Sequence, residues 1–136
     1  TIGSQMATTV LYESGAPSMA DYSQTYSRED INEYYKSLPA LWDDVEYLGG
    51  IMDEYFMTAR KSDDDWYVAA INSLNERTVD VDFSFLDKNT TYKATIYQDG
   101  AAYKDLEVST KLVTSDDRES LKLVKNGGFV IRLEKQ

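Results

Sequence analysis

Carboxylates are the side chains of this sequence that could do chemistry. The 136 residues include 24 Asp and Glu but no His and no Cys, which excludes thiolate catalysis, cysteine-ligated zinc and the commonest general base. Paired carboxylates cleave a glycosidic bond when they flank it about 5 to 10 Å apart. The nearest candidates are Glu13 with Asp21 and Asp43 with Glu54. Because so many acidic residues form pairs by chance, we interpret both as solvated or capping groups and predict no catalytic residue.

Two short polar motifs are compatible with a metal ion or a modification. Asp63-Asp64-Asp65 offers the oxygen ligands that calcium prefers, but it lacks the glycine and the distal glutamate of an EF-hand loop. We interpret it as the polar tip of a hairpin. Asn89-Thr90-Thr91 matches the acceptor pattern for N-glycosylation, but the same residues are common in turns, and we interpret them as a turn. The sequence therefore predicts no metal-binding residue and no cofactor in this chain.

Aromatic residues offer the main alternative function, an autonomous carbohydrate-binding module. Such a module needs exposed, coplanar rings, whereas buried rings build a core. Trp66 is in phase with Val68 and Ala70, which favours a core position, while Trp42 lies in a predicted loop and fits either role. We therefore predict no sugar-binding residue. The rings considered for a platform are Trp42, Trp66, Tyr47, Tyr55, Tyr67, Tyr92, Tyr97 and Tyr103.

Alternating apolar and polar residues predict the strands that position these side chains. Residues 79–85 alternate with a strict period of two, which is typical of a half-buried antiparallel strand. Similar runs begin at Trp66, Tyr92, Leu106 and Phe129, and turn signals separate them by roughly 8 to 12 residues. The sequence predicts a mainly β fold, a Greek-key-like antiparallel β-sandwich of seven or eight strands preceded by two short helices. Its predicted core contains Phe83, Phe85, Ile96, Phe129 and Ile131.

The first predicted helix covers about residues 1 to 12. Ile2, Met6 and Val10 recur at a spacing of four with Leu11 beside them, which makes one apolar stripe. Gly15-Ala16-Pro17 ends this helix. The stripe requires an apolar surface to cover it.

The second predicted helix begins at the N-cap Ser27 and ends before Pro39. Asp30 stands three residues after Ser27, where a capping box usually has glutamate. Its apolar positions are Ile31, Tyr34, Tyr35 and Leu38.

Charge limits the partners of the chain. The formal net charge is −10 and the sequence pI is near 4.4, so phosphate backbones and anionic headgroups are repelled. We expect no nucleic-acid partner and no membrane partner. The sequence also shows no run of about 18 apolar residues and no signal peptide.

Short motifs follow one another in a characteristic order: Pro39, Trp42-Asp43-Asp44, Leu48-Gly49-Gly50, Ala59-Arg60, Trp66-Tyr67-Val68, Phe85-Leu86, Tyr92, Tyr97–Asp99 and Gly127-Gly128-Phe129. Over residues 37–136 their order and spacing resemble the C-terminal domain of glycoside hydrolase family 97, the bacterial α-glucosidases and α-galactosidases. Residues 5–22 resemble the last helical part of that family's (β/α)8 barrel. Two positions depart from the pattern, because Val45 replaces an expected threonine and Asp53 replaces a glycine.

The resemblance implies a non-catalytic C-terminal β-sandwich fragment of a family 97 α-glycosidase, which supports the catalytic barrel. Residues 1–36 would be a helical remnant of the end of the barrel, and residues 37–136 the sandwich domain. The family's catalytic carboxylates and its calcium ligands belong to the barrel and N-terminal domains, so the isolated chain is predicted inactive and without a cofactor of its own.

The partners implied are those missing domains. We also expect a homodimer through the N-terminal helices, or fraying before Ser27, because the apolar stripe would lack its barrel. A parent that resembles its family would be periplasmic or secreted.

Overall fold

The computed structural model describes residues 1–12 and 28–136, which form two helices and eight strands. The helices are α1 (Ile2–Leu11) and α2 (Glu29–Ser37). The strands are β1 (Asp44–Ile51), β2 (Tyr55–Ser62), β3 (Asp65–Asn72), β4 (Arg77–Asp82), β5 (Tyr92–Asp99), β6 (Leu106–Val113), β7 (Arg118–Leu123) and β8 (Gly128–Lys135). The predicted mainly β fold with two short helices is confirmed.

Six of the strands form one sheet and two form another. The order in the large sheet is β1-β2-β3-β8-β5-β6, and β4 pairs with β7. Every pairing is antiparallel. The last strand, β8, lies between β3 and β5, which is the Greek-key-like feature predicted. The two sheets enclose the sandwich core.

The sandwich core takes side chains from both sheets. Val81 in β4 and Leu123 in β7 are fully buried against residues of the large sheet. Phe85 lies at the margin of the core, where its ring centroid is 4.8 Å from that of Trp66. The predicted core group is confirmed. Phe85 is partly buried, and the other members are fully or almost fully buried: Phe83, Ile96, Phe129 and Ile131.

A second apolar layer lies on the opposite face of the large sheet, under the two helices. Tyr67, Ala69 and Val130 belong to this layer, while the alternate residues Val68 and Ile131 belong to the sandwich core. Because β3 and β8 are covered on both faces, their sequences read as nearly continuous apolar runs.

Helix α1 packs its apolar stripe onto the large sheet. Thr1 and Ser4 form a reciprocal capping box at its start. Met6 and Val10 are fully buried, and Leu11 packs at the margin of the same layer. The expectation that the stripe lacks a partner within the chain is therefore wrong, because the outer faces of β3, β5 and β8 present an apolar surface to it.

Helix α2 ends at Ser37, before Pro39 as predicted. Its N-cap is Arg28, which makes no side-chain capping hydrogen bond, and the predicted N-cap Ser27 lies outside the described residues. Asp30 instead pairs with the Arg28 guanidinium at 2.7 Å. Neither helix of the described chain is long and apolar enough to cross a bilayer.

Strand β6 differs from its prediction. The alternation of Leu106, Val108 and Leu112 correctly places them on one face, the face that carries Tyr97 on β5. That face is not buried, however, since Val108 is 39% and Leu112 66% exposed. The helices do not extend over this edge of the sheet, and sequence alternation cannot show how far they extend.

Among residues 1–12 and 28–136, the non-glycine residues with positive φ lie in turns: Asp53, Asp63, Asn89 and Asn126. Asp53 has φ 63° and follows Met52 in a turn closed by a 2.9 Å hydrogen bond from the Glu54 N–H to the Ile51 carbonyl. Asp53 is the third residue of this four-residue turn, and a positive φ at that position favours glycine. The geometry therefore explains why a glycine is expected there.

Candidate functional site

Asp43 and Glu54 lie at opposite ends of β1. Because this strand has eight residues, the two carboxylates are roughly 25 Å apart, far beyond the separation that glycosidic cleavage requires. Asp43 accepts a 2.7 Å hydrogen bond from the Asp63 N–H, and Glu54 pairs with Arg77 at 2.9 Å. The structure therefore gives each carboxylate a separate local partner.

The other polar candidates do not form a site in the described chain. Glu13 and Asp21 lie outside the described residues. Asp63 and Asp64 make the turn between β2 and β3, and Asn89 lies in a turn with φ 56°, so both turn interpretations are confirmed. Residues 1–12 and 28–136 contain no group of three or more acidic side chains that could hold a metal ion.

The aromatic candidates are divided between the interior and two distant edges. Trp42 is half-buried and meets Tyr67 edge-on at 5.3 Å between ring centroids. Tyr47 is 64% exposed on the edge strand β1, whereas Tyr103 is 69% exposed beside the opposite edge strand β6. These rings therefore do not form one flat platform. The buried candidates are Trp66, Tyr67, Tyr92 and Tyr97.

One buried carboxylate holds the N-terminus of α1. Asp99 ends β5 and is 6% exposed. Its Oδ1 accepts a hydrogen bond from the Gly3 N–H at 2.8 Å, and its Oδ2 accepts one from the Gly128 N–H at 2.8 Å and another from the Thr1 hydroxyl. A negative charge at a helix N-terminus is also favoured by the helix dipole. We call Asp99, Gly3 and Gly128 the α1 seat.

The glycines of the α1 seat allow helix and sheet to approach closely. A Cβ on Gly3 would lie 2.4 Å from the carbonyl oxygen of Gly128. A Cβ on Gly128 would lie 2.7 Å from the Ala70 carbonyl oxygen and 2.8 Å from the Ser4 Cα. Because these neighbours are backbone atoms, an alanine at either position would displace α1 from the sheet.

Tyrosine hydroxyls connect the helices to each other and to the sheet. The Tyr34 hydroxyl hydrogen-bonds with that of Thr9 at 2.9 Å, and the Tyr67 hydroxyl donates to the Ser37 carbonyl at 2.7 Å. Burial raises the pKa of Tyr34 and raises the pKa of Tyr97 to about 12. Both phenols therefore stay neutral at physiological pH.

An apolar groove of about 720 Å³ opens beside the α1 seat, between the β1–β2 hairpin and the loop after β3. The rings of Tyr47 and Phe56 lie 5.6 Å apart on its wall, and Met52 is 90% exposed at its tip. Asn126 also lines the groove, and its carbonyl oxygen is 3.5 Å from the Thr1 hydroxyl. The groove therefore lies next to the start of α1.

The α1 seat is absent from the sequence predictions, in which Asp99 and Gly128 appear only among the short motifs of the family resemblance. One local signal could have indicated it, since Gly3 stands in the first turn of a predicted helix, where glycine is unfavourable unless close packing requires it. The contact itself joins residues 96 positions apart. No local sequence pattern indicates that Gly3 and Asp99 are in contact.

A family model described as "Glycosyl-hydrolase 97 C-terminal, oligomerisation" matches residues 41–134. The chain is also 32% identical over 135 residues to a retaining alpha-galactosidase of Bacteroides thetaiotaomicron, a match that covers 96% of this chain and 20% of that enzyme. The chain thus spans about a fifth of the length of this relative.

Solved structures show the same similarity. A glycoside hydrolase family 97 enzyme from Pseudoalteromonas sp. strain K8, in complex with acarbose, superposes with a TM-score of 0.93 at 29% identity, covering 100% of this chain and 23% of that one. A beta-arabinopyranosidase superposes with a TM-score of 0.76 at 22% identity, over 95% of this chain and 20% of that one. The second likeness shows a shared fold.

Proposed function

Because this chain belongs to the C-terminal domain family of the family 97 glycoside hydrolases, we propose that it is the non-catalytic β-sandwich of an α-glycosidase. Its role is to support the catalytic barrel. The family match leaves about four-fifths of a relative's length for the other domains.

The α1 seat is the observation that carries this proposal. Residues before Thr1 would lead directly into α1, and α1 is fastened to the sheet by Asp99 at its first turn and by Met6 and Val10 along its length. A barrel that ends in α1 would therefore be joined rigidly to the sandwich. Rigid attachment is what a supporting domain requires.

The chemistry would belong to the earlier domains. The separation of Asp43 from Glu54, and their separate partners Asp63 and Arg77, support this assignment. We accordingly assign the catalytic carboxylates and the calcium ligands to the barrel and N-terminal domains. A parent of this family would act in the periplasm or outside the cell.

Self-association forms the second part of the proposal, because the description of the matched family names oligomerisation. A homodimer through the N-terminal helices would have to use the remaining face of α1, since Met6 and Val10 already pack on the chain's own sheet. The exposed edges of the large sheet offer more free surface. We therefore propose that copies associate through the sandwich.

An activity assay tests the non-catalytic role. The chain should hydrolyse neither aryl α-glucosides nor aryl α-galactosides, with or without calcium. Glu13→Gln and Glu54→Gln variants control for host glycosidase, since a trace rate that is unchanged in both indicates contamination. Hydrolysis that either variant abolishes would contradict the proposal.

The reading frame upstream of Thr1 provides an independent test. We expect it to encode a (β/α)8 barrel. A start codon and signal peptide directly before Thr1 would instead favour an autonomous carbohydrate-binding module.

A further inference from the structure

Strand β6 is an edge strand with an unbroken backbone. Its eight residues pair with β5 in continuous register, and no other strand of the described chain pairs with its outer side. Regular edge strands present N–H and C=O groups that can pair with another strand. The opposite edge, β1, is less suitable because its register shifts between Tyr47 and Gly49, and such irregularities obstruct edge pairing.

The side chains of β6 are as accessible as its backbone edge. Residues 107 to 112 are all exposed. On the helix-covered face of the sheet, Leu106 still packs against the helix layer, whereas Val108 and Leu112 are exposed beyond the reach of α1 and α2. Glu107 and Lys111 share the other face. The strand therefore offers both apolar and charged groups to a partner strand.

A second copy of β6 is the partner that these side chains fit. Residues directly opposite in an antiparallel pair share a face. A two-fold axis perpendicular to the sheet must therefore lie midway between the two copies of one residue. With the axis at Ser109, Glu107 faces Lys111 of the partner subunit, and Lys111 faces Glu107 of the partner subunit. Two opposite-charge pairs result from one strand sequence.

The same axis also matches the other face. Leu106 then faces Leu112 of the partner subunit, and Val108 faces Thr110 of the partner subunit. An axis at Thr110 would instead place Ser109 opposite Lys111 of the partner subunit and leave the Glu107 charge unpaired. The Thr110 axis would place Val108 opposite Leu112 of the partner subunit, but of the two central registers only the one at Ser109 pairs the charges of both Glu107 and Lys111.

We propose that two copies of this chain pair β6 with β6 about Ser109, which joins the two large sheets into one continuous antiparallel sheet. The proposal rests on the proposed function only in that copies associate. Within its own chain Lys111 contacts Glu119 at 2.7 Å. An ammonium group has three donors, so Lys111 can hold Glu119 and Glu107 of the partner subunit together.

Cysteine cross-linking tests the register directly, because the chain contains no cysteine. In the dimer the two Ser109 Cα atoms would be about 4.5 to 5.5 Å apart, within the range of a disulfide. The two Thr110 Cα atoms would be roughly 8 Å apart, which is beyond that range. Under mild oxidation we expect Ser109→Cys to form a covalent dimer and Thr110→Cys to stay monomeric. The reverse result, or no cross-link with Ser109→Cys, would overturn the register.

Charge reversal tests the interface by sedimentation. Glu107→Lys should weaken the dimer at least about tenfold, because like charges then face each other at two places. The E107K/K111E/E119K variant restores the opposite charges across the axis and keeps an ion pair between residues 111 and 119, so it should recover association. Glu46→Lys on the opposite edge strand is the matched control and should leave the dimer unchanged.

The outcomes separate this inference from the proposed function. If Glu107→Lys leaves the dimer intact, the β6 interface is wrong while association through another surface stands. A wild-type chain that stays monomeric at millimolar concentration would overturn both the interface and self-association of this chain. Neither result changes the hydrolysis assay, which tests the non-catalytic role separately.

Discussion

The substitution Asp99→Asn tests whether the α1 seat holds α1 on the sheet. The variant keeps the shape of the side chain but replaces one acceptor oxygen with an amide donor. Because Oδ1 and Oδ2 accept from two different backbone groups, the N–H of Gly3 and the N–H of Gly128, each at 2.8 Å, an amide can serve only one of them. In either orientation one buried N–H faces another donor.

The expected cost follows from these contacts. A buried N–H without an acceptor costs about 1 to 3 kcal/mol, and losing the negative charge at the helix N-terminus adds about 0.3 to 1 kcal/mol. We expect Asp99→Asn to lower the free energy of unfolding by about 2 to 4 kcal/mol. Asp99→Ala leaves both N–H groups unpaired and should cost about 3 to 5 kcal/mol.

Two measurements separate local from global effects. Urea unfolding followed by tryptophan fluorescence reports the free energy of unfolding, and hydrogen exchange reports the protection of residues 2–11. Asp105→Asn is the control, since Asp105 accepts a 3.1 Å hydrogen bond from the Ala102 N–H in an exposed turn. A loss below about 1 kcal/mol in Asp99→Asn, with α1 still protected, would show that the apolar stripe alone holds the helix.

Three further predictions concern the core, the helix layer and one turn. Phe83→Ala should cost about 3 to 5 kcal/mol in urea melts and Phe85→Ala less, because only Phe83 is fully buried; equal losses would contradict this assignment. Since burial raises the pKa of Tyr97 from 10.0 to about 12, stability should be complete below pH 10 and fall as the pH rises towards 12. The part of the tyrosinate absorbance that comes from Tyr34 and Tyr97, taken as the difference from a Y34F/Y97F variant, should then rise only as unfolding exposes them, and its rise in a folded chain would refute this. Asp53→Gly should raise the midpoint of thermal unfolding, because glycine relieves the positive φ of the β1–β2 turn.

Local sequence patterns predicted the sandwich core and alternating runs for five of the eight strands in the described chain, but named no run for β1, β2 or β7. Alternation identifies Val79 and Val81 as the inward side chains of β4 because one face of that strand is buried and the other is in contact with water. The strand ends at Asp82, so the predicted strand at residues 79–85 runs too far, and Phe83 and Phe85 reach the core from the loop that follows. The same rule is incomplete for β3 and β6. On β3 both faces are buried, and on β6 the face of Val108 has no cover. Period-two patterns show which residues share a face, but the cover of a face depends on where the helices lie.

The α1 seat could not be predicted from the sequence in the same way as the strands. Asp99 and Gly128 have ordinary turn signatures, and their function depends on Gly3, which is distant in the chain. The charge complementarity of Glu107 and Lys111 is more accessible to prediction, because both residues lie in the same strand. It can be inferred once that strand is known to be an edge strand. Topology supplies that knowledge.

On the proposed function, helix α1 would make the sandwich and the barrel mechanically dependent on each other. The family model begins at residue 41, and the predicted boundary near residue 36 stays a prediction, but the solved family 97 enzyme superposes on the whole chain, including α1. Gly3, Met6 and Val10 face the sheet, while Gln5 and Thr8 keep part of their surface free for a neighbour. A barrel that packs on this second face would be held by the same helix. In the proposed enzyme, loosening the α1 seat should therefore reduce the stability of the sandwich and of the barrel together.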